Sequence, residues 1–262
     1  MKRSVLTLAV VGLFAFPASA QSFNVEWGSP DTAPPASYAG VGLAGVWNTF
    51  ESMASGVDLP LVGLDGAPIA VTIRNIGFDV VESFDNPGTS GADQALLDDC
   101  FVSYNDPVDG CLFMKHVAPG DYRVIMYALA PDDALLKSRL RIDQNLDDPE
   151  LVGGAWPGAH QEGVTYMRQN ATVAADGILN IHSGLFGGEI RSVLNGIQVV
   201  RLADLCPADL AEPMGQLDFS DVVAFLVAFS AMAPEADLAM PFGQWDFSDV
   251  VEFLTIFGSG CP

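Results

Sequence analysis

The stretch Asp121–Tyr127, DYRVIMY, follows the turn formers Pro119-Gly120 and carries Val, Ile and two Tyr in seven positions. A short run rich in β-branched and aromatic residues, opened by a Pro-Gly turn, is a strand. Four further runs share this character: Ile69–Ile73 (IAVTI), Gly77–Val81 (GFDVV), Ile178–His182 (ILNIH) and Gly196–Arg201 (GIQVVR). Asp65-Gly66, Asn86-Pro87-Gly88 and Asp176-Gly177 punctuate them. No long stretch up to residue 202 sustains a helical period. Short strands separated by regular turn signals predict a mainly β region, an antiparallel β-sandwich.

The character changes after Arg201, the last basic residue: the final 61 positions contain ten acids and no Lys or Arg. A break this sharp places a domain boundary at about Ala203. Beyond it, DFSDVV stands at 218–223 and again at 246–251, a repeat of 28 residues. Val222, Phe225, Leu226 and Phe229 fall at helical spacing, and Val250, Phe253, Leu254 and Phe257 repeat it. One helix of about ten residues is marginal in water. Two matched helices can bury their Phe and Leu stripes against each other, so duplication supplies each copy with its packing partner. The expected division is 1–20 signal peptide, 21–202 sandwich and 203–262 a small all-α duplicated domain.

The signal peptide is read from Lys2 and Arg3, the apolar run Val5–Phe16 and the small residues Ala18-Ser19-Ala20. The run is too short to span a bilayer, and no later stretch approaches the ~18 apolar residues that a span needs. The chain is therefore expected to be secreted or held at the cell surface. Its formal net charge of −22 argues against nucleic acid as a partner. Four Cys in an exported chain suggest two disulfides. Three pairings are open, and proximity in sequence favours Cys100–Cys111 and Cys206–Cys261. The second would close the repeat domain, restricting its unfolded chain by roughly 4 kcal/mol.

The copies ADLAEPMGQLDFSDVVAFLVAFS and ADLAMPFGQWDFSDVVEFLTIFG, with the terminal Gly260-Cys261, resemble a dockerin domain of the GC type, a duplicated loop-helix module. The resemblance covers 206–262 and implies attachment to a cohesin-like receptor. It also implies a calcium loop in each copy, with Asp209 and Asp237 at its first position, Asp218 and Asp246 at its ninth, and Asp221 and Asp249 at its twelfth. The third and fifth positions are Ala211 and Pro213, then Ala239 and Pro241, which offer no side-chain oxygen. Each loop is also one residue longer than the usual ~12. Two readings fit these acids: a weak calcium site, or helix caps with Asp218 and Asp246 at N-cap and Asp221 and Asp249 three positions on.

The larger region, 22–202, is similar to the galactose-binding-like family of jelly-roll sandwiches. The likeness is carried by GLAGVWN (42–48), APGDYRVIMYAL (118–129) and VLNGIQVVRL (193–202). That implies an extracellular glycan or surface component as ligand. The aromatics Trp156 and Tyr104, with Asn105 and Asp109 in the loop between Cys100 and Cys111, are the expected glycan-binding residues, and Trp47 is expected in the core. The three His stand in unrelated contexts, with no HExxH, CxxC or GxSxG. The acid pairs Asp98-Asp99, Asp132-Asp133 and Asp147-Asp148 read as solvated loops. The expected function is non-catalytic glycan or surface binding. A structural or adhesive surface protein is the alternative, and a polysaccharide-degrading enzyme ranks third.

Overall fold

The computed structural model describes residues 21–104, 110–143, 149–187, 189–202, 206–211, 217–239 and 244–260. The cleavage site at Ala20, and Cys261 with the Cys206–Cys261 pairing, lie outside them. No helix among the described residues is long and apolar enough to cross a membrane.

In chain order the strands are β1 (Phe23–Glu26), β2 (Trp47–Thr49), β3 (Asp58–Val62), β4 (Pro68–Ile76), β5 (Val80–Ser83), β6 (Asp99–Ser103) and β7 (Gly110–Lys115). They continue as β8 (Gly120–Tyr127), β9 (Ser138–Ile142), β10 (Glu150–Val152), β11 (Tyr166–Val173), β12 (Leu179–Gly184), β13 (Ser192–Leu194) and β14 (Gly196–Arg201). Helix α1 (Gly91–Leu97) precedes β6, and α2 (Phe219–Ser230) and α3 (Phe247–Ser259) form the repeat.

A five-stranded sheet runs β11-β8-β14-β1-β2, a six-stranded sheet β10-β9-β12-β7-β4-β3, and a small third sheet β13-β6-β5. Pairing between strands is antiparallel except for β1 with β2. One apolar core joins the sheets: Phe23, Val124 and Met126 from the five-stranded sheet pack with Val71, Leu112 and Ile181 from the six-stranded one. The chain is thus mainly β, as its runs predict. The stretch 121–127 lies in β8, between β11 and β14 in its sheet, and from Val124 onward it is buried on both faces, since Ile125 and Tyr127 join a second cluster on the opposite side. That is why it reads as nearly continuous apolar sequence rather than as strict alternation. The run Gly77–Val81 is corrected: the strand begins at Val80, while Phe78 turns inward to stack on Phe101 at 4.5 Å.

Cys100 and Cys111 are not bridged. Cys100 lies on β6 in the small sheet and is fully buried in the main core. Cys111 lies on β7, whose pattern alternates so that Cys111, Phe113 and Lys115 share the outer face of the six-stranded sheet. Eleven residues of separation suggested a bridge, but the chain changes sheets between the two.

In the repeat, Phe225 and Phe253 stack at 4.1 Å and 12° between α2 and α3, each almost wholly buried. Leu226 and Leu254 depart from expectation, standing 53% and 56% exposed. Val222 and Phe229, with Val250 and Phe257, pack partly buried against the Phe pair as the spacing predicts, and Asp221 and Ala228 complete the inward side of α2, so the residue after each central Phe turns outward. Leu210, Leu217, Leu238 and Trp245 supply the apolar contacts around it.

Candidate functional site

The second apolar cluster, on the face of the five-stranded sheet turned away from the main core, gathers Trp47, Tyr127 and Tyr166 with α1 residues Leu96 and Leu97. Trp47 is buried, as expected of a core ring. Over this floor lie two loops. In the first, a turn closed by Tyr38 N–H to Pro35 carbonyl (2.8 Å) leads to Val41, whose amide donates to the Tyr127 hydroxyl at 2.8 Å. That hydroxyl donates in turn to Gln198 Oε1 at 2.6 Å, and Gln198 Nε2 donates to Asn24 Oδ1 and to the Leu43 carbonyl, each at 3.0 Å. Gly40 makes this approach possible: its φ is +56°, and a Cβ there would sit 2.4 Å from the Tyr127 oxygen.

The second loop starts at Gly153, where a Cβ would meet the Leu136 carbonyl at 2.1 Å. It returns through Thr165, whose hydroxyl accepts from the Gln161 amide at 2.9 Å. Between these anchors lie Trp156 and His160. The imidazole of His160 is 9% exposed and is surrounded by Tyr38, Tyr127, Trp156 and Tyr166, with centroids 5.2–6.4 Å away.

One carboxylate reaches into this aromatic enclosure. Asp93, in the first turn of α1, accepts the Tyr38 hydroxyl proton at 2.6 Å and lies 3.3 Å from His160 Nε2. The Tyr38 oxygen is 2.7 Å from the same nitrogen. Since its one proton goes to Asp93, the oxygen accepts from Nε2–H. On the other side of the ring, Nδ1 lies 3.3 Å from Thr165 Oγ1. Burial pushes the imidazole below its usual pKa, against the upward pull of Asp93. Burial, then the bond to Asp93, raises the Tyr38 phenol. The cluster therefore holds a neutral imidazole and a neutral phenol beside a carboxylate that stays 36% exposed.

Of the sequence-predicted residues, Trp156 belongs here. It is half-buried, packs edge-on to His160 at 5.5 Å, and lies against the Asn86–Gly88 turn. Tyr104 has a different setting: its amide donates to Asp79 Oδ2 at 2.8 Å and its hydroxyl to Glu82. Arg191 bridges Glu82 to Asp132 beside it, over the ring of Phe84. Asn105 and Asp109 lie outside the described residues. His160, Tyr38 and Asp93 escaped the sequence reading. The local sign was a His four residues after a Trp in the Gly-rich loop GGAWPGAHQ, but Tyr38 and Asp93 are joined to it only by the fold.

The acids of the repeat adopt cap geometry. Asp218 accepts from Ser220 N–H and Asp246 from Ser248 N–H, each at 2.7 Å, and both helices carry complete capping boxes. Asp221 and Asp249 are fully buried. Asp221 Oδ1 accepts from the Leu210 and Ala211 amides, and its Oδ2 from Asp218 N–H. Asp249 repeats this with Leu238, Ala239 and Asp246. Each thus fastens its loop to its helix through three backbone donors. No group of three or more His, Cys, Asp or Glu that could hold a metal is found among the described residues, and loop residues 212–216 and 240–243 lie outside them. Asp209 and Asp237, the first loop positions, are engaged in contacts of their own.

No family model matches the chain, and no curated protein matches it. Solved structures similar to it include a Bacillus subtilis protein at 11% identity, over 69% of this chain and 40% of that one, with a TM-score of 0.37. A family 35 carbohydrate binding module from Clostridium thermocellum is 14% identical over 55% of this chain and 98% of the module, with a TM-score of 0.29. The CBM36-1 domain of a multidomain xylanase from the hindgut metagenome of Trinervitermes trinervoides is 12% identical over 49% and 95%, again at 0.29. The chain spans less than half the length of the Bacillus protein. The class of the protein, a mainly β sandwich with a duplicated helical tail, rests on its own sheets, core and capped helices.

Proposed function

We propose that residues 21–202 act as a non-catalytic, exported glycan-binding module, and that residues 203–262 attach it to a cohesin-like receptor. The observation that carries the first part is the pairing of Trp156, a half-buried ring, with Asp93, a partly exposed carboxylate, both held against His160. A sugar offers C–H groups on one face and hydroxyl donors at its edge. A ring face and an acceptor held on a rigid floor suit both.

The tail reading is supported by its outward residues. Phe219 and Phe247 are 78% and 76% exposed, and the pairs Val223 with Val251 and Leu226 with Leu254 are also exposed. Each pair occupies equivalent positions of the two copies, so α2 and α3 present matching exposed apolar residues, the kind of surface that marks a partner site.

The test is a glycan array probed with the full chain, followed by titration calorimetry on any glycan retained. Trp156→Ala is expected to lose about tenfold or more in affinity, the equivalent of one stacked ring, while keeping the thermal transition. Glycan binding unchanged in Trp156→Ala would remove this site from the reading; no glycan bound at all would overturn the reading itself.

A further inference from the structure

The charge of the aromatic site is one-sided. The three segments that meet at His160, residues 35–41, 85–98 and 153–165, contain Asp85, Asp93, Asp98 and Glu162 and not one Lys or Arg. Asp93 is the charged group that acts on the His160 ring, which burial keeps neutral. Arg168 on β11 lies near Tyr166, but Glu162 binds it at 3.1 Å. The site therefore holds a carboxylate that no cationic side chain among the described residues neutralises.

The two oxygens of that carboxylate are not equivalent. Oδ1 takes the Tyr38 proton and faces His160 Nε2, whereas Oδ2 meets no donor among the described residues. Trp156 stands on the other side of the same imidazole, half-buried, and Pro157, Gly158 and Ala159 after it are exposed, so the ring lies at the open end of its loop. A bare acceptor takes a hydroxyl, an amide or an ammonium alike; charge separates them. An ammonium brings three N–H donors and a full positive charge to Oδ2, and a neighbouring Trp ring attracts it further through its quadrupole. An acetylated amine brings one donor and no charge. A uronic acid brings a second carboxylate, which the first repels.

We infer, on the reading of this site as glycan-binding, that its ligand is an unacetylated amino sugar whose ammonium donates to Asp93 Oδ2 while its ring lies against Trp156. Tyr38 and His160 hold Oδ1 and so fix the direction in which Oδ2 points. Selection against other sugars comes from the same two groups. Neutral sugars keep the stacking and lose the charge, and acidic sugars meet Asp93 with Asp85 and Asp98 behind it in sequence.

The test is titration calorimetry of the full chain with tetrasaccharides of glucosamine, N-acetylglucosamine and galacturonic acid. The glucosamine tetramer is expected to bind about tenfold or more tightly than its acetylated form, and the uronate not to bind. A chain with 33 acids attracts any polycation, so the deciding quantity is the response to substitution. Asp93→Asn keeps an acceptor for Tyr38 and should bring the ratio of the two affinities down to about one. Asp176→Asn removes the same charge from the exposed turn ahead of β12 and should leave the ratio as it is. Trp156→Ala changes no charge, yet should lower glucosamine affinity about tenfold, which keeps the test decisive if Asp93→Asn loses its thermal transition. Equal or tighter binding of the acetylated tetramer, a ratio unmoved by Asp93→Asn, or glucosamine affinity unmoved by Trp156→Ala would each overturn the inference. A neutral glycan retained in place of glucosamine overturns it while glycan binding stands; no glycan retained at all overturns both.

Discussion

The helical tail and the aromatic site of the sandwich are built by opposite routes. In the tail, the bonds that make each helix start are local: Asp218 to Ser220, two positions apart, and Asp221 to Leu210, eleven apart. In the sandwich, Tyr38 meets Asp93 across 55 positions and His160 across 122. Short-range chemistry written twice is visible as spacing, whereas the site exists only once two sheets have placed three distant loops over one floor. The tail also has a small core centred on one pair of rings, while the site rests on a core shared by three sheets. The two should therefore break independently.

The largest expected effect falls on the tail. Phe253→Asp removes half of the stacked pair and puts a charge where the ring is 1% exposed. Deleting a core Phe costs about 3–5 kcal/mol before the charge is counted. A domain of this size rarely holds more than about 3–5 kcal/mol in all. The helices are expected to unfold while the sandwich keeps its own transition. Calorimetry and circular dichroism of the full chain read both, and a sandwich that melts with the tail would show that the two share a core.

How far each region was legible follows the same division. The strands β4, β8, β12 and β14 contain or overlap the runs at 69–73, 121–127, 178–182 and 196–201, because turn formers and β-branched content are local properties. The caps were legible from Asp-x-x-Asp before an apolar run. The helical stripe was legible except at its edge: Val222, Phe225 and Phe229 and their copies pack inward, but Leu226 and Leu254 fit the spacing as well as Ala228 does, and only packing decides which of them faces in. Cys111 and Cys100 looked paired because nearness along the chain says nothing about a change of sheet. His160 stood in no recognisable motif, since neither Tyr38 nor Asp93 is near it in sequence.

The comparison sharpens under pH, where the two regions should move in opposite directions. Glu26 on β1 is fully buried with neither carboxyl oxygen hydrogen-bonded, and burial, then the nearby Asp99, raises its pKa to about 8 from an ordinary 4.5. The unfolded chain loses that proton near 4.5 and the folded chain near 8. The contribution of Glu26 to sandwich stability is therefore greatest below 4.5 and declines as pH rises to about 8, with a slope approaching about 1.4 kcal/mol per pH unit. Asp249 is the reverse: amides of Ala239 and Asp246 hold its carboxyl below the ordinary 3.8. Its contribution is present above 3.8 and is lost as pH falls through the lower folded value. Melting scans from pH 3 to 9 should show the tail transition falling at the acid end and the sandwich transition falling toward the alkaline end, with Glu26→Gln flattening only the latter.

The smallest effect expected is Tyr38→Phe, and it probes the site rather than the scaffold. The ring stays, so its packing near Trp47 and His160 is kept. What goes is one hydroxyl, which donates to Asp93 and accepts from His160. A neutral intramolecular hydrogen bond is worth about 1 kcal/mol net, somewhat more when its partner is charged. The loss is softened because Asp93 Oδ1 and His160 Nε2 already lie 3.3 Å apart and can pair directly. That direct pairing favours the protonated ring, so the His160 pKa, depressed by burial, should move upward in the variant. Nuclear magnetic resonance titration of the imidazole reads this without any ligand. A His160 titration unmoved by Tyr38→Phe would mean that the hydroxyl only fills space, and that Asp93 and His160 do not act as one unit beneath Trp156.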